Sequence, residues 1–425
     1  MDSKRIGFVA TRLAGTDGVS LEANKWATVL DRMGMQCFFM AGELDTPRDR
    51  SLLVPSCHFN HPGAEEVYAG CFGCTTRLPR VSRKCDDLKA VLKQSLRDFV
   101  DHFNLDLIIM ENAVTIPMNI PLGLAITEYL IEMGTPAIAH HHDFYWERSR
   151  FSRNACADYL STAFPPRLPT IQHTVINSAQ VEQLSLRRGV PATVVPNVMD
   201  FQAIPPLVDG YADDLRQELG IPDGHKLILQ PTRIVRRKGI EHAIELVHRL
   251  GMPATLVISH ASGDEGDEYS MRVREYSAVL NVNTILCGSR LSHERGETED
   301  GRKIYSLADI YAQADLVTYP STIEGFGNAF LEAAYYRRPI LVNNYAIYDS
   351  DIRPKGFRAV EMNDFITSHA IAQAREVLAN PDLVAEMVET NHEVAQRHFS
   401  FEVLEQNLET LLVNCFGRSV RRSSQ

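Results

Sequence analysis

The chain lacks several features that would assign it to a special class of protein. Its 425 residues contain no apolar run as long as a membrane span and no short internal repeat. The apolar run near its start, residues 6–10, is too short for a secretory signal peptide. Acidic residues (54) outnumber lysine and arginine (43), and the net charge of −11 argues against binding along nucleic acid. These absences predict a cytoplasmic protein that neither spans a membrane nor binds nucleic acid.

Cysteine is too scattered to indicate a disulfide framework. Eight cysteines are distributed over the whole chain, which predicts reduced thiols. Cys71 and Cys74 form a C-x-x-C, and Cys57 and Cys85 lie near it in sequence, so a structural zinc site is one interpretation. The outer spacings fit no standard zinc motif, and a loop with half-buried thiols is the alternative.

What the chain does have is a regular alternation of strand-like and helical patterns, which is typical of βαβ units and parallel sheets. Apolar runs predict strands at 6–10, 37–40, 107–110, 137–139, 174–176, 193–195, 227–229, 255–258, 285–287, 316–318 and 340–342. Helical periodicity predicts helices at 21–33, 88–103, 240–250, 304–313 and 326–336, and three more between 365 and 413. Turn formers at 196–200 and at Pro205-Pro206 interrupt the alternation and predict a hinge.

The predicted fold class is therefore α/β, with two Rossmann-like parallel-sheet domains facing a cleft. The N-terminal domain is predicted to cover 1–200 and the second domain 201–397, followed by a C-terminal helix and polar tail at 398–425. The end of that tail is expected to be disordered. Because ligands of such sheets bind outside the carboxyl ends of the strands, we expect the site in the cleft.

The strongest motif is a glycine-bearing turn that follows the strand 316–318. Glu324 and Glu332 flank it, and the turn opens a helix. Free N–H groups at a helix start form an anion site, and glycine lets a phosphate approach closely. The donor-binding residues predicted from this motif are Gly325, Phe326, Gly327, Asn328 and Glu332. A capped surface helix with acidic residues near its start is the alternative.

A basic loop follows the strand 227–229. Arg233 and Lys238 lie where a strand leads into a helix, so both cations are predicted to project toward a diphosphate. Arg236 and Arg237, between them, are the cations for which solvation is the alternative. An isolated basic loop of this kind is more often a solvated surface loop than a ligand site. The prediction of a ligand site depends on its combination with the two glutamates.

Two further candidates lie in the first half of the chain. Gly18 belongs to the turn 12–20, where glycine allows close backbone approach, although the spacing is not that of a dinucleotide motif. His142 closes a run of three histidines at a strand end. Consecutive histidines on a strand alternate faces and cannot all bind one metal, so no zinc is expected there. A plain tight turn and a strand-capping histidine are the alternatives.

Together these residues resemble the retaining glycosyltransferase family 4 of the GT-B fold. The resemblance is carried by Glu324-x7-Glu332, by Arg233 and Lys238 before them, and by the sequence 195–197, and it spans most of the chain. The residues that it places at the donor are Arg233 and Lys238 at the diphosphate, Glu332 at the ribose, Glu324 at the sugar hydroxyls, and Gly18 and His142 at the sugar. It also implies a reaction without a metal or other cofactor, which fits the absence of an Asp-x-Asp motif at a strand end.

The resemblance places the acceptor in the N-terminal domain, where basic residues cluster. Arg77, Arg80, Arg83 and Lys84 fall within eight residues of an otherwise acidic chain. The cations past the histidine strand end, which could add to the same field, are Arg148, Arg150 and Arg153. Arginine offers bidentate contacts to carboxylate or phosphate, so the acceptor-binding residues predicted are Arg80, Arg83, Lys84 and Arg148. A solvated loop is the alternative.

The predicted function is that of a retaining hexosyltransferase. It would transfer a hexose from a nucleotide-diphosphate sugar, of GDP-mannose or UDP-glucose type, to a small anionic acceptor. Residues 342–357 resemble a subgroup that makes small polar glycosides of glucosylglycerate type. A disaccharide phosphorylase of the same fold, a non-catalytic sugar-binding protein and a nucleotide-sugar epimerase are the alternatives. A homo-oligomer is compatible with the sequence.

Overall fold

The computed structural model describes residues 3–15, 17–203, 209–260, 268–292 and 294–417. The chain divides into two compact units, Met1–Val198 with Phe401–Gln425 and Met199–Ser400. The change from the first unit to the second thus falls within the predicted hinge at 196–200. Pro205-Pro206 and the polar tail after residue 417 lie outside the described residues.

The first unit is built on one sheet of seven parallel strands. These strands are β1 (Arg5–Val9), β2 (Gln36–Ala41), β3 (Ser51–Leu53), β4 (Leu107–Glu111), β5 (Ala137–His141), β6 (Ile171–Val175) and β7 (Ala192–Val194). Their order is β3-β2-β1-β4-β5-β6-β7, so the strand order reverses next to β1 as in doubly wound folds. All five residues of β4 and of β5 are buried, as expected for parallel strands covered on both faces.

Helices cover this sheet. They are α1 (Gly18–Arg32), α2 (Pro62–Cys71), α3 (Pro79–Phe103), α4 (Ile120–Met133), α5 (Ala157–Ala163) and α6 (Ser178–Arg188). α3 begins nine residues before the predicted start at 88, so Arg80, Arg83 and Lys84 lie on its first turns and not in a loop. α4 has no predicted counterpart because it is apolar nearly all round and shows no helical period. No helix among the described residues has the length and apolar character needed to cross a membrane.

The second unit is built on a six-stranded parallel sheet with a small three-stranded sheet beside it. The strands are β8 (Lys226–Gln230), β9 (Ala254–Ile258), β10 (Asn283–Leu286), β11 (Leu291–Ser292), β12 (Gly296–Glu297), β13 (Lys303–Ser306), β14 (Leu316–Tyr319), β15 (Ile340–Asn343) and β16 (Val360–Met362). The large sheet has the order β10-β9-β8-β14-β15-β16, and the small one β11-β13-β12. The prediction of two α/β parallel-sheet units is confirmed.

The helices of the second unit are α7 (Leu215–Glu218), α8 (Ile240–Leu250), α9 (Glu268–Val279), α10 (Leu307–Gln313), α11 (Asn328–Tyr335), α12 (Ser368–Ala379) and α13 (Pro381–Phe399). The predicted helix at 304–313 is wrong in its first residues, which form β13. Ser306 ends that strand and caps α10, because its hydroxyl accepts from the backbone of Asp309 while the Asp309 carboxylate accepts from the backbone of Ser306.

The last helix, α14 (Phe401–Phe416), returns to the first unit. Its buried leucines join the apolar cluster that contains Phe8 of β1 and Trp26 of α1. They are Leu404, Leu408, Leu411 and Leu412. A segment distant in sequence therefore completes the core under one face of the first sheet.

Candidate functional site

The glycine turn of the second unit joins β14 to α11. Gly327 precedes the helix with φ +125°, and a Cβ on it would lie 2.1 Å from the Tyr345 hydroxyl. That hydroxyl donates to the carbonyl of Phe326 at 2.8 Å. No side chain caps the start of α11. Only glycine therefore fits this backbone path at the start of the helix.

Glu324 lies at the centre of a group of charged residues. Lys238 Nζ donates to its Oε1, and Arg237 Nη1 donates to its Oε2 at 2.9 Å. Both cations belong to the helical turn Arg236–Lys238 that follows β8. Lys238 is 8% exposed, so this ion pair is largely removed from water. The predicted basic loop and glycine turn thus meet, and Arg237, for which solvation was the alternative, is ion-paired.

The electrostatics of this group favour the charged forms. Burial alone would raise the pKa of Glu324, but the charges of Lys238 and Arg237 outweigh it and hold that pKa below its ordinary value. Burial and the nearby charge of Glu324 raise the pKa of Tyr319 well above its usual range. The carboxylate is therefore ionised at neutral pH, and the phenol keeps its proton.

Arg233 completes the basic loop as an exposed residue with no ion pair to the described part of the chain. The charge of Arg233 acts on the same residue, His260, as the charge of Lys238. Burial is the largest cause that lowers the pKa of His260, and the charges of Arg233 and Lys238 lower it as well. His260 Nδ1 lies 2.6 Å from the hydroxyl of Ser259, at the end of β9. Arg233 is therefore a cation whose charge is available to a ligand.

Glu332 lies on α11, away from the ion pairs of Glu324. Its Oε2 accepts from the hydroxyl of Tyr311 at 2.9 Å. Tyr311 is fully buried and stacks on Tyr336 with ring centroids 4.8 Å apart. Burial, with the charge of Glu332, raises the pKa of Tyr311, so its hydroxyl stays a donor. The two glutamates of the motif thus lie in different environments, one beside cations and one beside a phenol.

In the first unit, Gly18 is the exposed first residue of α1, which begins three residues before the predicted helix. Asp17 caps that helix, because its Oδ1 accepts from the backbone N–H groups of Val19 and Ser20 at 3.1 and 3.3 Å. Arg12 pairs with the other oxygen of Asp17 at 3.0 Å. Gly18 thus lies at a helix start that Asp17 caps, and not in the plain tight turn that was the alternative.

His142 follows β5 and joins a buried cluster. Its Nε2 lies 3.1 Å from Glu111 Oε2, and His140 Nδ1 lies 2.9 Å from the same oxygen. Glu111 ends β4, and its Cα is paired with that of His140 in the parallel register. His141 faces the other way, with its Nε2 2.9 Å from His173 Nδ1. The alternation of the three histidines is as predicted, but the glutamate that joins two of them was missed.

The predicted acceptor-binding cations differ in their exposure and in their ion pairs. Arg80, Arg83 and Lys84 are exposed on the first turns of α3. Arg77 makes a bidentate pair with Asp158 at 2.8 and 2.7 Å, and Arg148 pairs with Asp143. Arg77 is therefore a structural tie within the first unit, whereas the exposed three keep their charge in solvent.

Among the described residues, Glu111, His140 and His142 are the only group of three ligand-type side chains close enough to share a metal ion. Each imidazole nitrogen lies at hydrogen-bond distance from one carboxylate oxygen, and such a bond needs a proton on the nitrogen. The cysteines of the C-x-x-C region form no such group in the described chain, and Cys57, Cys71 and Cys85 are buried.

The chain is similar to known proteins over most of its length. The family model "Glycosyl transferases group 1" matches residues 212–393. Mannosylglucosylglycerate synthase of Thermotoga maritima is 32% identical over 94% of this chain and 98% of the relative. The enzyme of the same name from Petrotoga mobilis is 32% identical over 84% of this chain and 86% of its own length.

Solved structures agree with the fold. A glycosyltransferase from Rickettsia africae aligns over 99% of this chain and all of its own, with a TM-score of 0.69 at 13% identity. This likeness supports the two parallel-sheet units of a GT-B enzyme. The predicted resemblance is confirmed, and the alternatives to a glycosyltransferase are not favoured. The chain belongs to the group 1 glycosyl transferases and is a glycosyltransferase of the GT-B fold.

Proposed function

We propose that this glycosyltransferase transfers a mannosyl group from GDP-mannose to glucosylglycerate, with retention at the anomeric carbon. The observation that carries the proposal is the similarity to mannosylglucosylglycerate synthase over nearly the full length of both chains. The product named there contains a glycerate carboxylate. An acceptor of this kind agrees with the anionic acceptor predicted from the basic residues of the first unit.

The residues of the second unit suit the diphosphate of such a donor. Arg233, Arg237 and Lys238 contribute three positive charges and Glu324 one negative charge, which leaves a net of two positive charges on this group. A sugar diphosphate is a dianion, so the charges match. Groups fixed in place before the reaction stabilise the charge that develops on the leaving group, and this accounts for catalysis without a protein nucleophile.

The proposed step breaks the bond between the anomeric carbon and the diphosphate oxygen. The acceptor hydroxyl forms its new bond to that carbon from the same face, and its proton passes to the departing phosphate. Glu324 contacts sugar hydroxyls in this scheme, and Glu332 the ribose. The Lys238 ion pair holds the Glu324 carboxylate in one orientation, and the Tyr311 hydroxyl does the same for Glu332.

Incubation of the purified protein with GDP-mannose and glucosylglycerate tests the proposal. Transfer to form one product, with a one-bond C1–H1 NMR coupling constant that shows the retained anomeric configuration, is the expected result. UDP-glucose tests the other donor predicted, and glucosyl-3-phosphoglycerate the acceptor implied by a more distant relative's name. An inverted product, or release of sugar by inorganic phosphate without any nucleotide, would contradict it.

Two further measurements test the identity of the nucleotide and the absence of a metal requirement. A thermal-shift series with GDP, UDP and ADP identifies the nucleotide, because a ligand that binds only the native state raises the melting temperature. Activity in EDTA is expected to equal that in its absence, since lysine and arginine supply the charge at the diphosphate. Strict dependence on magnesium or manganese would rule out this metal-free scheme.

A further inference from the structure

The cluster around Glu111 is built from neighbouring strands of the first sheet. β4 ends at Glu111 and β5 continues into His142, and parallel pairing brings these ends together. Because side chains alternate along an extended chain, His140 and His142 share the face on which Glu111 lies. Their ring centroids are 4.2 Å apart, and His140 also stacks on Trp26 at 4.2 Å. The cluster is thus fixed by packing as well as by hydrogen bonds.

The hydrogen bonds decide where the protons lie. Glu111 Oε2 can only accept, so His140 Nδ1 and His142 Nε2 each carry a proton. The other nitrogen of His140, Nε2, is buried without a partner, and a second proton there would be a buried, unpaired charge. His140 is therefore neutral.

His142 differs from His140 in the surroundings of its second nitrogen. Nδ1 has no hydrogen-bond partner in the described chain and is not among the buried unpaired atoms, and the residue is 9% exposed. A proton on this nitrogen can meet solvent or a ligand. With Nε2 bound to a carboxylate and Nδ1 open, His142 is the member of the cluster that can carry a positive charge.

The charged groups around His142 favour this assignment. Glu111 is fully buried, and Glu22 on α1 is buried and paired with Lys25 at 2.6 Å. On the loop after β5, Asp143 pairs with Arg148. Burial alone would lower the pKa of His142, but the hydrogen bond and charge of Glu111, with smaller contributions from Glu22 and Asp143, raise it. His141 faces His173 on the opposite side of the strand.

The same interactions act on the other two members. Burial would raise the pKa of Glu111, yet His140 and His142 lower it to about 2. Burial lowers the pKa of His140. The cluster therefore combines a carboxylate that is held ionised, an imidazole that is held neutral and, in His142, an imidazole whose charged form is favoured.

We propose that Glu111 is a positioning residue that fixes the orientation of His142 and keeps it as an imidazolium, with its Nδ1–H free to donate to the ligand. His140 has a supporting part, because it holds the shared carboxylate oxygen from the other side. The ligand group that this N–H suits is an oxygen that gains negative charge, such as a phosphate or hydroxyl oxygen of a substrate. This inference rests on the proposed function for the ligand, but not for the protonation of His142.

A histidine NMR titration tests the assignment without any turnover. With 13C-labelled histidine, and His142→Gln to assign the signal, His142 in the wild type is expected to titrate above 6.5. In Glu111→Gln, which keeps the size of the side chain and removes its charge, we expect this titration to move down by at least one pH unit. Glu22→Gln is the matched control, because it removes another buried carboxylate that is not bonded to His142, and its effect is expected to be smaller.

The pH profile of turnover gives the functional readout. Because the pKa of His142 is raised, wild-type kcat is expected to be retained below that pKa and to fall as pH rises through it. In Glu111→Gln the fall moves to lower pH, so that kcat at pH 7.5 drops by up to about tenfold for a shift of one pH unit and recovers in part at pH 5.5. GDP binding, measured by thermal shift, is expected to change less than twofold.

Each outcome of these experiments is decisive. An unchanged titration of His142 in a folded Glu111→Gln protein would overturn the proposal. So would one zinc per purified chain that is lost in His140→Gln, since the cluster would then be a metal site. If Glu111→Gln fails to fold, His140→Gln replaces it, and an unchanged His142 titration there would count against the supporting part of His140. If the wild type turns over no nucleotide sugar, the proposed function fails while the titration still decides this inference.

Discussion

The two units differ in the chemical form of the charge that they contain. In the second unit the candidate site is a set of arginine and lysine side chains around Glu324, with phenols beside it. In the first unit it is a carboxylate joined to imidazoles. Guanidinium and ammonium groups keep their charge across the physiological pH range, whereas imidazoles titrate within it. The comparison teaches that the fixed charges and the titratable charges of the two candidate sites lie in different units.

The largest expected effect concerns the fixed charges. Arg233→Ala is expected to lower kcat about 100-fold at every pH, because a cation that stabilises the leaving group is lost. The free energy of unfolding of this variant is expected to change by less than about 0.5 kcal/mol. Arg233 is exposed and forms no ion pair with the described part of the chain. Steady-state kinetics from pH 5.5 to 8.5 measure the first effect, and urea unfolding the second.

Lys238→Ala gives the matching contrast within the same loop. It is expected to lose as much activity and also about 3 kcal/mol of stability, because the buried Glu324 carboxylate loses its main partner. Arg236→Ala, an exposed neighbour, is the control and is expected to leave kcat unchanged. A loss for Lys238→Ala that varied steeply with pH while that of Arg233→Ala did not would break the comparison.

The second prediction places acid sensitivity in the first unit. Burial lowers the pKa of His173 to about 4 and holds that of His141 well below its ordinary value. Both bind protons more readily when unfolded, so stability that is present above about pH 6.5 is lost as pH falls toward 4. For His173 the loss between pH 7.5 and 5 is about 2 kcal/mol.

Hydrogen exchange resolves this prediction by strand. At pH-corrected exchange times, protection of β5 and β6 is expected to fall on acidification before that of β14 and β15. His173→Gln is expected to reduce the acid-dependent part of the loss. Equal loss in all four strands would show that the titrating groups lie elsewhere.

The third prediction is smaller and concerns Glu332. Tyr311→Phe removes one hydrogen bond to that carboxylate, which costs about 1 kcal/mol and corresponds to an approximately fivefold weaker affinity for the nucleotide. Isothermal titration with GDP measures it. Tyr336→Phe is the control, since Tyr336 stacks on the same ring but has no described hydrogen bond from its hydroxyl. Equal effects of the two variants would mean that ring packing, not the hydrogen bond, matters.

The smallest expected effect concerns the exposed cations of α3. Arg80→Ala with Arg83→Ala is expected to raise the acceptor KM about two- to threefold at low salt and to have no effect at high salt, because exposed charges are screened. Arg274→Ala with Arg397→Ala, exposed residues of the second unit, makes the same change in net charge. If both double variants raise KM equally, the first pair has no special place in acceptor binding.

The fold was predictable from the sequence where the pattern is local. Every predicted strand overlaps a strand of the structure, because most of these strands are short, buried apolar runs between turn formers. The elements that were missed or misassigned also have physical reasons. α4 is buried on nearly all sides and shows no period, and β13 passes directly into α10, so that one helical pattern seemed to cover both.

The candidate site was predictable only in part, because half of it depends on contacts between distant residues. Glu324 and Lys238 were found from their motifs, although their ion pair joins residues 86 positions apart. Glu111 belongs to no motif and reaches His142 through strand pairing. Tyr345 and Tyr311 were missed for the same reason. A glutamate at the end of the strand before the histidine strand is the one signal that could have indicated the cluster.

The return of α14 to the first unit has a consequence for biosynthesis. A ribosome releases β1 to β7 first, then the complete second unit, and only afterwards the leucines that close the first core. The second unit can therefore finish folding before the first, although it is translated later. Until α14 emerges, the apolar face formed by Phe8 and Trp26 stays uncovered. The nascent chain thus exposes apolar surface of the first unit for the time that translation of residues 199–400 requires.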